Sequence, residues 1–227
     1  MLKDCLPSNQ SPSINDLEVK PNLEVDKILE FIDYNISSFC PYYLSIKDSD
    51  RENRISDFLV HHLQLCKIEQ FDGFCPYDFR KNPTQQYSDK ETDIGVFIMS
   101  RGPKPIPIIE FEAKRLSETS NNKEYVSGDR GGIERFKRGY HSSHLFVCGM
   151  FGYVQSRTSS EWIQKVNIWI DEQSQNNINT DDIDWKSLDE KLSTITSFPN
   201  VVKLRSEHTR RQLNNTILLW HYFICLS

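Results

Sequence analysis

With 227 residues, 37% hydrophobic and 26% charged, the chain carries enough apolar material for one well-cored domain. No apolar run approaches bilayer length, and Met1–Pro7 lacks the apolar core of a secretory signal, so a cytoplasmic protein without membrane contact is expected. A formal charge of −5 argues against a chain that grips nucleic acid over its whole surface, and six scattered cysteines without a Cys-x-x-Cys pair argue for free, mostly buried thiols rather than a zinc or iron–sulfur site.

Residues 1–22 are polar and proline-punctuated and read as an arm. That leaves 23–227 as a single domain, with a core over about 49–155 and a C-terminal helix and strand pair over 157–227. Val25, Ile28, Leu29, Ile32 and Ile36 keep helical spacing, and Cys40-Pro41 is expected to end that helix. A second helix is expected from Ser49, with Ile55, Phe58, Leu59, His62, Leu63 and Cys66 on one face. Ser49 and Glu52 have the spacing of a capping box.

Three strands follow, around Tyr77–Phe79, Asp93–Ile98 and Ile106–Lys114, the last two joined through Arg101-Gly102-Pro103. A Ser, Asn and Gly-rich loop, Ser117–Gly132, leads into a short basic helix, Ile133–Tyr140. Leu145–Val154 reads as a strand interrupted by Gly149 and Gly152. Ser159 or Ser160 is expected to cap a helix whose Trp162, Val166, Trp169 and Ile170 read as core packing rather than base stacking. A polar insertion, Gln173–Asp184, precedes a short helix around Trp185, Leu188 and Leu192. Two strands, Val201–Arg205 and Ile217–Leu226, close the chain. This order predicts an α/β three-layer sandwich around a central mixed sheet flanked by helices.

The chemistry concentrates in the run Ile106 to Lys114. Strand side chains alternate between faces, so Glu110, Glu112 and Lys114 share one face and Ile109, Phe111 and Ala113 the other. Two carboxylates beside an apolar strand are costly to bury without a partner, and a divalent cation is the obvious one. A second strand, led by Asp93, lies one hairpin away. A Glu-x-Lys taken alone reads as a solvated charge pair at a sheet edge.

An acid leading one strand and a Glu-x-Lys on the next resemble the PD-(D/E)XK nuclease superfamily, over roughly Ser49 to Gln155. Thr92 stands where the family has its proline, a position that does no chemistry. The resemblance implies a restriction-endonuclease-like fold and Mg²⁺ or Mn²⁺ held by Asp93, Glu112 and the carbonyl of Ala113. It further implies Lys114 beside the attacking water and scissile phosphate, and Glu52 on the preceding helix facing the site.

Glu52 reads equally as a helix cap. Glu110 is either a metal ligand, a supporting partner of Lys114, or a strand-face acid in a local pair, and Gln155 is either a phosphate contact or a polar strand end. Arg130, just before a glycine pair, and Arg135, Lys137 and Arg138, after it, form one candidate phosphate-binding cluster; Lys203, Arg205 and Arg210, with His208 and Arg211, form another. His61, His62, His141, His144 and His221 have no ligand spacing.

The expected function is a metal-dependent nuclease acting on DNA ahead of RNA, the nuclease subunit of a bacterial restriction or anti-phage defence system. An ATPase, helicase or sensor protein is the expected partner, and a homo-oligomer is compatible with it. The rival is a non-catalytic nuclease-like scaffold, which predicts no metal uptake.

Overall fold

A computed structural model of the chain describes residues 21–71, 75–83, 91–98, 106–128, 131–175, 183–186 and 190–227. The arm up to residue 20, the Arg101-Gly102-Pro103 connection and Arg130 lie outside the described residues.

Three helices come first: α1 (Pro21–Asn35), α2 (Phe39–Ile46) and α3 (Glu52–Gln70). Pro21 and Asn22 belong to α1 rather than to the arm. Cys40-Pro41 does not end a helix. A short 3₁₀ turn over Ile36–Ser38 ends the run, and Pro41 sits in the first turn of α2, where its missing N–H has no helical partner to lose.

Among the described residues the sheet has seven strands: β1 (Tyr77–Lys81), β2 (Ile94–Ile98), β3 (Pro107–Leu116), β4 (Val147–Val154), β5 (Ser193–Phe198), β6 (Val201–Arg210) and β7 (Asn215–Cys225). Their order is β1-β2-β3-β4-β7-β6-β5. β3, β4 and β7 run parallel to one another, and the flanking pairs are antiparallel. The sheet is therefore mixed, as expected. β5 was not anticipated, because Ser-Thr-Ile-Thr-Ser-Phe at the sheet edge is mostly exposed and shows no apolar alternation.

Two helices join the later strands, α4 (Gly132–Lys137) and α5 (Ser159–Gln175). Thr158, not Ser159 or Ser160, caps α5. Its hydroxyl accepts the Glu161 N–H at 3.2 Å, and the Glu161 carboxylate accepts the Thr158 N–H at 2.9 Å. α5 extends to Gln175, past the start of the expected polar insertion. Residues 183–186 and 190–192 form no helix, and Leu188 lies outside the described residues.

Each face of the sheet has its own apolar core. Ile109, Phe111, Ala113, Phe151 and Tyr153 pack with α1 to α3; Leu116, Met150, Val154 and Phe223 pack with α4 and α5. Trp162 and Ile170 are buried in the second core and Trp169 packs against it, in keeping with a packing role. β4 is unbroken. Its glycines make room for neighbours: a Cβ at Gly149 would lie 2.3 Å from the ring of Phe111. Cys40, Cys66, Cys75, Cys148 and Cys225 are free, and all but Cys225 are buried. Among the described residues no helix is long and apolar enough to cross a membrane.

Candidate functional site

The pairing of β2 with β3 sets the site. Ile94 lies opposite Phe111, which puts Asp93, one residue before β2, abreast of Glu112. β2 begins there, but β3 runs on to Leu116, so among the described residues no strand lies beside the edge of β3 beyond Phe111. Two carboxylates fill that edge. Asp93 Oδ2 accepts the Ala113 N–H at 2.7 Å, and Glu52 Oε2 accepts the Arg115 N–H at 2.8 Å. The N–H and C=O of one strand residue leave by the same edge, so the Ala113 carbonyl is directed to the Asp93 side.

Glu52 is the first residue of α3, and it turns away from its own helix. The Ser49–Glu52 capping box does not form. Arg51 is the N-cap residue without a side-chain cap, and Ser49 Oγ instead accepts the Arg51 N–H at 3.3 Å. The Arg115 amide, which no strand partner meets among the described residues, is a stronger claim on the carboxylate than an exposed helix end, which water can satisfy.

Glu112 is 2% exposed and takes two cations on one oxygen. Lys114 Nζ donates to Oε1 at 2.8 Å, and Arg135 Nη1 donates to the same atom at 2.9 Å. Lys114 also lies 3.8 Å from Glu52 Oε1. An unpaired carboxylate at this depth would cost several kcal/mol, roughly, and the two cations offset that cost. Glu52, Asp93, Glu112, Lys114 and Arg135 thus form one connected set.

The electrostatics of the set are strained around Asp93. Burial first, and then the neighbouring Glu112, push its carboxyl up to about 7, against the opposing pull of Lys114 and the Ala113 amide. Burial pulls the Lys114 ammonium down, but Glu112, Glu52 and Asp93 outweigh it and hold the group above its ordinary value. Lys114 is therefore a fixed cation among three carboxylates. Among the described residues no three His, Cys, Asp or Glu side chains are arranged to hold a metal ion. The donors at hand are two carboxylates and one backbone carbonyl, all hard oxygens of the type magnesium takes, with water and substrate oxygens completing such a site.

The remaining candidates separate. Gln155 Nε2 donates to the Asp50 carbonyl at 2.9 Å, tying the end of β4 to the loop before α3. Glu110 is fully enclosed and accepts from the Ser142 hydroxyl; the carboxylates paired with Lys114 are Glu112 and Glu52. Arg138 bonds Glu134 at 2.7 Å.

Three of the basic residues expected at the surface are inside. Lys137 is buried against Glu190, Lys203 is buried against Asp33 at 2.6 Å, and Arg210 is buried with Asn215 and the Ser142 carbonyl. Arg205 alone of the expected β6 trio is exposed, with Glu207 at 3.9 Å. His208 is also enclosed, its Nε2 2.7 Å from Ser206 Oγ.

The contact missed by sequence reasoning is Arg135 with Glu112, because nothing in the local spacing relates residues on a loop-borne helix to β3. No family model, curated protein or solved structure matches the chain.

Proposed function

We propose that this chain is a metal-dependent nuclease that hydrolyses phosphodiester bonds in DNA, built as a three-layer sandwich of the restriction-endonuclease type. The observation that carries the reading is the grouping of Asp93, Glu112 and Lys114 at the open edge of β3, with Glu52 Oε1 3.8 Å from the Lys114 ammonium. Helices on both faces of the mixed sheet support the fold type.

Asp93, Glu112 and the Ala113 carbonyl would hold Mg²⁺ or Mn²⁺, which when bound supplies charge neutralisation and an acidified water. Lys114, kept charged by its three acidic neighbours, orients the attacking water and stabilises negative charge as it develops on the phosphate. Glu52 fixes the Lys114 ammonium and braces the backbone of Arg115.

The acidic balance of the chain favours a partner that supplies the grip on DNA, as an ATPase, helicase or sensor protein would in a restriction or anti-phage assembly. Purified protein incubated with plasmid DNA and Mg²⁺ tests the reading. Glu112→Ala and Lys114→Ala are each expected to cut at least about a hundredfold more slowly. Cleavage undiminished in both variants defeats it.

A second reading has its own observation. Asp93 and Glu52 already satisfy backbone amides, and Glu112 is already neutralised, so the set is also a self-contained brace of a non-catalytic scaffold. Calorimetric titration with Mn²⁺ separates the two, since the brace predicts no uptake.

A further inference from the structure

The short helix α4 and the residue that follows it carry three cations, each aimed at a different anion. Lys137 is enclosed with Glu190, Arg138 is tied to Glu134, and Arg135 reaches into the candidate site to Glu112. Buried Ile133 and Phe136 hold the helix backbone against the sheet, so any movement of Arg135 is a movement of its side chain. That side chain is 26% exposed, against 11% for Lys114 and 3% for Glu112.

Two cations on one carboxylate oxygen repel each other. Lys114 is held by Glu52 and Asp93 as well as by Glu112. Among the described residues Arg135 has Glu112 as its carboxylate partner, and it is the more open of the two. Arg135 is the cation that can leave.

Charge says when it leaves and where it goes. With all five groups ionised, the three carboxylates exceed Lys114 and Arg135 by one negative charge. A divalent cation turns that excess into one positive charge, the complement of a singly charged phosphate diester. A guanidinium presents two parallel N–H groups that fit two phosphate oxygens, so a released Arg135 is suited to that ligand.

We propose that Arg135 is the counter-ion of Glu112 in the metal-free protein and passes to a phosphate diester of the nucleic acid when a divalent cation takes its place. The proposal rests on the metal-site reading above. It makes Arg135 a phosphate-binding residue that is masked until the site is loaded, rather than part of a fixed basic surface.

The experiment is Mn²⁺ titration of the full chain without nucleic acid, read by the spin-resonance signal of free Mn²⁺, for wild type, Arg135→Met, Arg135→Lys and Glu112→Ala. Arg135→Met is expected to bind Mn²⁺ roughly tenfold more tightly than wild type, since one nearby positive charge is gone, with Arg135→Lys close to wild type. In Ca²⁺, the affinity of Arg135→Met for a fluorescent DNA duplex should fall, with the salt slope reduced by about one counter-ion.

Equal or weaker Mn²⁺ binding by Arg135→Met, with wild type binding normally, overturns the proposal and leaves Arg135 as a brace for Glu112. DNA affinity and salt slope unchanged in that variant overturn it as well. Should Arg135→Met fail to fold, Arg135→Gln repeats both measurements. If neither wild type nor Glu112→Ala takes up Mn²⁺, the metal reading itself falls, and the proposal with it.

Discussion

The protonation of Asp93 is tied to folding. Its pKa rises from 3.8 to about 7 through burial and the proximity of Glu112. Between those values the folded chain holds a proton that the unfolded chain has released. The contribution to stability is therefore fully present below pH 4, roughly, and is lost as the pH rises through 7. Asp93→Asn keeps an oxygen for the Ala113 amide and removes the charge. In the metal-free protein, the variant should gain stability over wild type at pH 8 relative to pH 5, measured by urea unfolding at both values. An offset that is the same at the two pH values would contradict this account. Asp93, Glu112 and Lys114 were legible from sequence because a strand pair joined by one short connection keeps them close along the chain. Arg135 was recognisable as one cation of a candidate phosphate-binding cluster, but its pairing with Glu112 depends on how α4 lies over β3.

At the scale of elements, the decisive feature is the mismatch in length between β2 and β3. β3 continues past the start of β2, and its Ala113 and Arg115 amides are met by side chains instead of a strand. The same mismatch opens the edge at which the acids gather. β4 on the other side must approach closely, and Gly149 permits it, since Phe111 stacks on Phe151 at 4.8 Å between ring centroids and fills the space a Cβ would need. Gly149→Ala is expected to destabilise the protein by about 1–3 kcal/mol through overpacking, seen as a lowered midpoint in denaturant. An unchanged midpoint would mean that Phe111 moves freely, which its complete burial argues against. Reading Gly149 and Gly152 as interruptions followed from glycine's weakness in strands; the Phe111 and Phe223 rings they make room for lie on β3 and β7 and could not be foreseen.

For the molecule as a whole, a seven-stranded mixed sheet with a core on each face holds several charged groups inside. The Lys137–Glu190 pair ties α4 to the segment before β5, and Glu190 also accepts the Lys186 amide at 3.0 Å. Lys137→Ala leaves that carboxylate buried without its cation and should cost about 3–5 kcal/mol, whereas Lys137→Met with Glu190→Gln should restore much of the loss. Thermal unfolding of the single and double variants checks this, and additive effects would argue against a coupled pair. The sequence by itself determined the α/β class, the helical faces of α1, α3 and α5, and the strand pair carrying Asp93, Glu112 and Lys114, because periodicity and short connections act locally. Tertiary structure alone decided that Lys203 meets Asp33 across 170 residues, that Lys137 and Arg210 turn inward, and that Glu52 serves β3 rather than its own helix. A charged side chain reads as solvated until a distant anion or carbonyl is brought within hydrogen-bond reach, and that reach is set by packing rather than by spacing along the chain.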